Sequence, residues 1–438
     1  MIKTGTDKLY AFGAEGLRSA TRFALGIAVA RWAGADAYAI FVLLLTAEVV
    51  VHTLANSAWA MPMTTLAPGQ DEPQRSALIR HAARRHVCAS VLSGPLLLAL
   101  GPLLAPGAGW AVYLGCALAV AATGVLNFYR NWLGAVFRSR SMFWADLFSN
   151  GLPLAAVGVA WFHGDVVLAY WYARGLGALL AVALMARAAP RSPLHGARPD
   201  PGALGSFGDM GRHMLVGSLA NAACSRSQPF VLAAVATTAG ISLFGAANTL
   251  IGPARMLSMA LSVVLRPRLS LHFRAGNDDA GWRTTLKGLG LASLAGVGLL
   301  ALFLVAGESI ARLVFGPSFA GLERVLPWAG AYALTAAVTG VLAIVIQTMD
   351  GAKKTAQLRI AAGAVSLALT FPGCFFFGAP GAFGSLFASE LLYAACAGHH
   401  LRGLRRARAA TPTTPDESSP SPAPSSPESR KRPGQRAA

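Results

Sequence analysis

The sequence predicts an all-α integral membrane protein with about twelve transmembrane helices in two similar halves and both termini in the cytoplasm. Three observations carry that prediction. Of 438 residues, 54% are hydrophobic and only 13% charged, with a mean hydropathy of +0.51, whereas a soluble domain carries roughly a quarter charged residues. The apolar residues gather into runs of about 20, the length that crosses a bilayer as a helix. Finally, Lys and Arg concentrate in every second one of the loops that join those runs.

The runs fall at 9–33, 37–62, 87–106, 110–135, 142–162, 165–187, 213–236, 239–264, 286–307, 325–349, 358–378 and 380–401. Each is too long and too continuous for the alternating strands of a membrane barrel, so helices are the remaining way to satisfy the backbone in lipid. The first run exceeds the 7–15 residues of a signal-peptide core and carries charges through its middle, so it reads as a retained span. Pro95, Pro153, Pro229, Pro253 and Pro372 lie inside runs; membrane helices tolerate them where neighbours satisfy the freed backbone groups.

With the N-terminus inside, the inner loops hold Arg75, Arg80, Arg84 and Arg85, then Arg138 and Arg140, then Arg187, Arg191, Arg198 and Arg212. Arg266, Arg268, Arg274, Arg283 and Lys287 follow, then Lys353, Lys354 and Arg359, with Arg402, Arg405, Arg406 and Arg408 at the end. The outer loops hold only Arg312 and Arg324. This is the positive-inside pattern at every loop, and it predicts an even number of spans.

The same bias accounts for the net charge of +18 without a nucleic-acid partner. Cys88, Cys116, Cys224, Cys374 and Cys396 are scattered through apolar runs and read as small buried hydrophobes, not as a disulfide or metal set. No P-loop, G-x-S-x-G, H-E-x-x-H or paired-cysteine motif occurs, so neither direct ATP use nor a known catalytic motif is indicated. The glycines of "GLGLASLAGVG" (Gly288 to Gly298) read as close helix packing. Trp59, Tyr129, Trp132, Trp144, Tyr170, Trp171 and Tyr172 lie near predicted helix ends and read as interfacial aromatics.

Organisation follows from the breaks. Residues 1–188 form an N-terminal set of six spans, 189–212 a cytoplasmic linker, 213–402 a second set of six, and 403–438 a basic Pro/Ser-rich tail that cannot bury a core. A weak internal repeat supports the division. Ala30, Ala33, Gly34 and Tyr38 in "AVARWAGADAYAIF" match Ala236, Ala239, Gly240 and Phe244 in "AAVATTAGISLFGA", at an offset of about 206 residues.

Charges inside the spans must face protein or water, because insertion scales put an ionised group at the bilayer centre about 2.5–3.5 kcal/mol uphill. Their spacing is helical. Glu15, Arg18 and Arg22 share one face of the first span, and Glu48, His52 and Asn56 follow i, i+4, i+8 on the second. Asp146 and Asn150 are i, i+4 on the fifth; Arg130, Arg174, Arg226, Arg255 and Glu390 lie in other spans. Arg130 and Arg255 read as close enough to the cytoplasm to snorkel. Two readings stand: ion pairs that lock helices together, or stripes lining a shared polar interior in which arginine outnumbers acid.

Four segments, in order, resemble a known family. "ARWAGADAYAIFVLL" is similar to the pattern that opens bacterial polysaccharide flippases of the multidrug/oligosaccharidyl-lipid/polysaccharide exporter superfamily. "GISLFGAANTLIGPARMLSMALSVVLRPRLS" resembles their eighth helix, "ARLVFGPSFAGLERVLPW" an outer loop, and "FFFGAPGAFGSLFASELL" the start of the last span. Ala39 stands where the pattern has Gly, and "SRSQPF" lacks an acidic residue often present nearby.

The resemblance implies a bacterial cytoplasmic-membrane transporter with two pseudo-symmetric six-helix lobes around a central cavity that opens alternately to each side. It implies a polyprenyl-(di)phosphate-linked oligosaccharide as cargo, for surface polysaccharide assembly, with a polysaccharide polymerase among the partners. Arg18, Arg22, Arg174, Arg226 and Arg255 are then candidates to grip the phosphate, since guanidinium pairs its N–H donors with phosphate oxygens. Glu15, Glu48, Asp146 and Glu390 are candidates for H+ or Na+ coupling or for charge pairing, and His52, Asn56 and Asn150 for polar lining. No cofactor is expected beyond such a coupling ion. A drug exporter of the same superfamily needs a net-negative cavity, and a membrane polymerase or ligase needs a large outer loop; neither fits well.

Overall fold

The computed structural model of the chain describes residues 5–67, 70–135, 139–189, 200–350 and 352–410. Among them every regular element is helical. In order these are α1 (Gly5–Ala55), a π-helical segment (Asn56–Ala60), α2 (Met61–Leu66), α3 (Glu72–Leu104), α4 (Trp110–Ala135), α5 (Ser139–Ala160) and α6 (Val166–Ala188). The second half holds α7 (Pro201–Arg226), α8 (Gln228–Val235), α9 (Thr238–Leu250), α10 (Gly252–Arg274), α11 (Asp278–Phe315), α12 (Leu322–Met349) and α13 (Ala352–Ala410). Residues 190–199 of the predicted linker, and the tail from 411 onward, lie outside the described residues.

Among the described residues, eight helices are long and apolar enough to cross a membrane. Two of them, at Gly16–Leu66 and Lys353–Arg406, run 51 and 54 residues, more than twice the ~20 that a span requires. Each breaks at a glycine in the left-handed region that disfavours a Cβ: Gly34 (φ 80°) in α1 and Gly378 (φ 61°) in α13. Those glycines fall where the sequence places the turns between the first two and the last two apolar runs. Large apolar side chains cover the outer surface, with Leu294, Val305, Leu313, Phe376 and Phe377 at least 71% exposed, a surface suited to lipid and not to water.

Several helices begin earlier than the apolar runs. α3 starts at Glu72, α7 at Pro201 and α11 at Asp278, where the hydropathy placed 87, 213 and 286. Each is capped by a polar side chain: Asp71 accepts from the Gln74 N–H (3.0 Å), Asp200 from Ala203 (3.0 Å) and Asn277 from Ala280 (3.2 Å). Capping extends a helix by a polar turn or more beyond its apolar part. The run at 213–236 is divided at Ser227 between α7 and α8, and 239–264 at Ile251 between α9 and α10; Pro229 and Pro253 open the second pieces.

The residues of the internal repeat pack against each other. Thr238 donates to Asp36 (2.9 Å), Ser242 to the Ala35 carbonyl (2.5 Å), and Tyr38 shares a 3.1 Å hydrogen bond with Thr249. Arg31 donates to the Leu313 carbonyl (2.6 Å), and the Tyr38 ring meets Phe319 edge-on. These contacts form a latch at the end that the loop charges assign to the outside. The largest apolar core lies directly behind it and includes Phe41, Tyr170, Trp171, Phe244 and Phe383. At the opposite end α7 meets the π segment: the Ser57 and Ser218 hydroxyls lie 2.5 Å apart, and a Cβ on Gly211 would stand 2.5 Å from the Ala58 carbonyl.

Tyr170 and Trp171 are therefore core residues (3% and 0% exposed), and not the interfacial aromatics that their position in the sequence suggests. Cys116 and Cys374 are buried, whereas Cys88 is exposed on α3. The chain divides into a unit of Met1–Ala397 and a second of Gly398–Ala438. In the second, residues 398–410 are described and helical.

α11 and α12 pack through their glycines. A Cβ at Gly296 would lie 2.7 Å from Leu334 Cα, and one at Gly330 would lie 3.1 Å from Leu300 Cα. Gly296→Val forces these helices apart, and overpacking of this kind costs about 1–3 kcal/mol. A lowered thermal midpoint of the purified protein is expected, with Gly298→Val, which meets open space, as the unaffected control.

Candidate functional site

The polar stripes of α1, α4, α5 and α6 converge on one small cleft. Its walls include Arg18, Arg22, Arg130, Arg174, Asn127 and Asn150, with Thr123 and Ser149 between them. Thr123, Asn127 and Arg130 follow i, i+4, i+7 and so share a face of α4.

The Arg174 and Arg130 guanidiniums are neutralised by carboxylates. Arg174 donates to Glu48 Oε1 through both Nε (3.0 Å) and Nη2 (2.5 Å), and its Cζ stands 5.8 Å from the Tyr170 ring. Arg130 donates to Asp146 Oδ1 at 2.5 Å. Both pairs are buried. Arg130 therefore does not snorkel to the cytoplasm; it turns inward because Asp146 offers it an ionic partner inside the bundle. Asn150 is held by the Asp146 carbonyl (2.8 Å) and Ser149 (3.1 Å), while Asn56 accepts from Asn131 (3.4 Å).

His52 sits behind the Arg174–Glu48 pair. Its Nε2 lies 3.0 Å from the Val120 carbonyl and its Nδ1 3.6 Å from Glu48 Oε1. Among the described residues Arg22 has no ion pair or hydrogen bond, and it is exposed to the cleft. Arg18 also lines the cleft. The side chain of Glu15 lies outside the described residues.

The remaining candidates are in the other half of the chain. Arg255 donates to Asn248 (2.7 Å) and its Cζ lies 5.9 Å from the Tyr332 ring centre. It is half-buried, held within the helices by a neutral amide and an aromatic face, so the snorkelling position does not describe it either. Arg226 lies within electrostatic range of Arg255, and neither forms an ion pair among the described residues. Glu390 accepts from Arg359 at 2.7 Å and from Thr339, and the Arg359 guanidinium stacks 4.1 Å over Tyr393. The two halves meet close to Arg22 and Arg255. Gly26 abuts Thr249, and Phe23 lies against Gly252, which puts each arginine about one helical turn from that crossing.

Each of the described membrane-embedded acids is thus matched by an arginine: Glu48 by Arg174, Asp146 by Arg130, Glu390 by Arg359. Arg22, Arg226 and Arg255 have no carboxylate partner among the described residues. Among the described residues, intramembrane arginines outnumber intramembrane acids. Sequence reasoning found most of these positions but gave Arg130 and Arg359 no role in the bundle; the shared face of Thr123, Asn127 and Arg130 was the available signal for the first.

No family model matches the chain and no curated protein matches it. The fold is that of several solved transporters. An inward-facing multidrug resistance MATE family transporter of the MOP superfamily superposes with a TM-score of 0.72 at 12% identity, over 90% of this chain and 99% of the other. The lipid II flippase MurJ in an inward closed conformation gives 0.71 at 10% identity, over 91% and 87%. An outward-facing MATE transporter gives 0.61 at 14% identity, over 92% and 94%.

Removing one member of a buried ion pair strands the other charge, at a cost of about 3–5 kcal/mol. Arg174→Met is expected to destabilise the purified protein by that order, and the double variant Glu48→Leu, Arg174→Met to recover much of the loss. Thermal unfolding followed across the two variants measures it.

Proposed function

We propose that the protein is a membrane transporter of the bacterial cytoplasmic membrane that flips a polyprenyl-(di)phosphate-linked oligosaccharide from the inner to the outer leaflet. One observation carries the reading: every intramembrane acid whose side chain is described is paired, and Arg22, Arg226 and Arg255 have no carboxylate partner among the described residues. A fixed cationic interior is costly unless an anion completes it, and arginine is suited to phosphate oxygens. The fold is shared with a lipid II flippase and with multidrug transporters at nearly equal TM-scores, so the fold does not separate those cargoes. The sign of the charge favours the anionic one.

In this reading the glycine breaks at Gly34 and Gly378 turn α1 and α13 into two crossings each. With α3, α4, α5, α6, α11 and α12 crossing once each, and the pairs α7–α8 and α9–α10 making one crossing each, that gives twelve, in lobes of six on either side of the linker, with both termini cytoplasmic. The outer latch closes one side while the phosphate enters from the other, and rocking of the lobes exchanges the two. Arg22 and Arg18 in one lobe and Arg226 and Arg255 in the other grip the phosphate together, and the lipid tail stays in the bilayer. H+ or Na+ supplies the driving force, and a polysaccharide polymerase takes the product at the outer face.

A strain lacking the protein is expected to accumulate lipid-linked repeat units on the inner leaflet and to lose its surface polysaccharide. Units found unpolymerised on the outer face would defeat the reading. Arg22→Ala is expected to lower export about tenfold or more, the loss typical of a charge-assisted hydrogen bond, with an unchanged amount of protein in the membrane.

A further inference from the structure

Glu48 and His52 form a cluster with more acceptors than donors. Glu48 Oε1 takes both bonds from Arg174, and Oε2 is buried without a partner. The His52 tautomer is set by its neighbour: a carbonyl oxygen only accepts, so Nε2, at 3.0 Å from Val120, carries the hydrogen. In the neutral ring Nδ1 then presents a lone pair to Glu48 Oε1 at 3.6 Å. Two acceptors face each other with no hydrogen between them, in a site where Glu48 is 1% and His52 8% exposed.

We infer that the His52–Glu48 pair is a proton-binding site whose occupancy controls the anion affinity of the adjoining cleft. A proton delivered by hydronium forms the Nδ1–H bond and leaves water behind. The imidazolium then donates to Glu48 Oε1, the atom on which Arg174 makes both of its hydrogen bonds. Two consequences follow. The cluster gains one positive charge, and the hold of Glu48 on Arg174 loosens, which turns guanidinium donors toward the cleft that Arg174 already lines. By linkage, an anion that binds more tightly to the protonated form draws the proton in with it.

The other titratable or charged groups around the pair are Arg22 on α1, His86 on α3, Cys116 on α4, and Tyr170 and Arg174 on α6. His86 places its Nε2 on the Gly124 carbonyl at 3.1 Å. The arginines hold their charge throughout the working range. His52 is thus the histidine of this set with a carboxylate in front of its free nitrogen.

The coupling rests on the reading of the cleft as an anion site, and the experiment separates the two. Full-length protein with 15N-labelled histidine in lipid nanodiscs is titrated by NMR across about pH 5–8. A His52 resonance, assigned by its loss in His52→Gln, is expected to show Nε2 protonated throughout and Nδ1 taking up a proton, and Glu48→Gln is expected to move that transition to lower pH. A His52 that does not titrate, or that is unmoved by Glu48→Gln, overturns the proton site whether or not the cleft binds anions.

Calorimetry with UDP-glucose, a diphosphate diester that does not itself titrate in this range, in two buffers of different ionisation enthalpy, then tests the coupling. Wild-type protein is expected to bind about tenfold more tightly at the acid end, with net proton uptake that His52→Gln abolishes. Binding that is independent of pH, or uptake that survives in His52→Gln, overturns the coupling and leaves the anion site standing. Failure of the wild type to bind UDP-glucose at either pH counts against the anion site and the coupling together, and the NMR titration still decides the proton site.

Discussion

The cost of charge in a low-dielectric interior governs this structure. Water is not at hand to solvate a carboxylate in the bundle, so each described intramembrane acid sits against a guanidinium, and the helices bearing the two partners are bound to one another. Glu48 and Arg174 tie α1 to α6, and Arg130 and Asp146 tie α4 to α5. Such pairs return little net stability compared with apolar packing of the same volume, but they tolerate no loss of one partner. They act as register pins. With them in place, Arg22, Arg226 and Arg255 are left without a carboxylate among the described residues.

The apolar surround makes that arrangement possible. The helices pack closely where glycine allows it, as at Gly296 and Gly330, and present leucine and phenylalanine outward. Lipid tails are as apolar as these side chains, so fit rather than hydrophobic exclusion holds one helix to the next. Polar side chains that would weaken such a surface are confined to the inner stripes. The cationic cleft and the lipid-facing surface are two results of one segregation.

Much of this was legible in the sequence because the bilayer imposes length and polarity so strongly. The apolar runs locate the spans, and the i, i+4 spacing of Glu48 with His52 and of Asp146 with Asn150 marks faces that do turn inward. What hydropathy does not record are events in polar sequence. The caps at Asp71, Asp200 and Asn277 extend α3, α7 and α11 beyond their apolar parts, and a periodicity measured on apolar residues passes over them. Pairing across distant helices is invisible for another reason. Arg130 and Asp146 are 16 residues apart and Glu48 and Arg174 are 126, and only the three-dimensional arrangement says which acid meets which arginine. Tyr170 and Trp171 were misleading because a helix end in the sequence need not be a helix end at the membrane surface when the core behind a latch reaches that far.

The outer latch has a chemical peculiarity. Arg31 ends on the carbonyls of Leu313 and Val314, and Ser242 on that of Ala35, so in these contacts one partner is main chain. A carbonyl is the same whatever side chain its residue bears. The residues at 35, 313 and 314 are free to drift without loosening the closure, provided the backbone keeps its path, and only the donors are held. Among related sequences such a joint would leave almost no trace of paired change, and a search for co-varying positions would overlook these contacts.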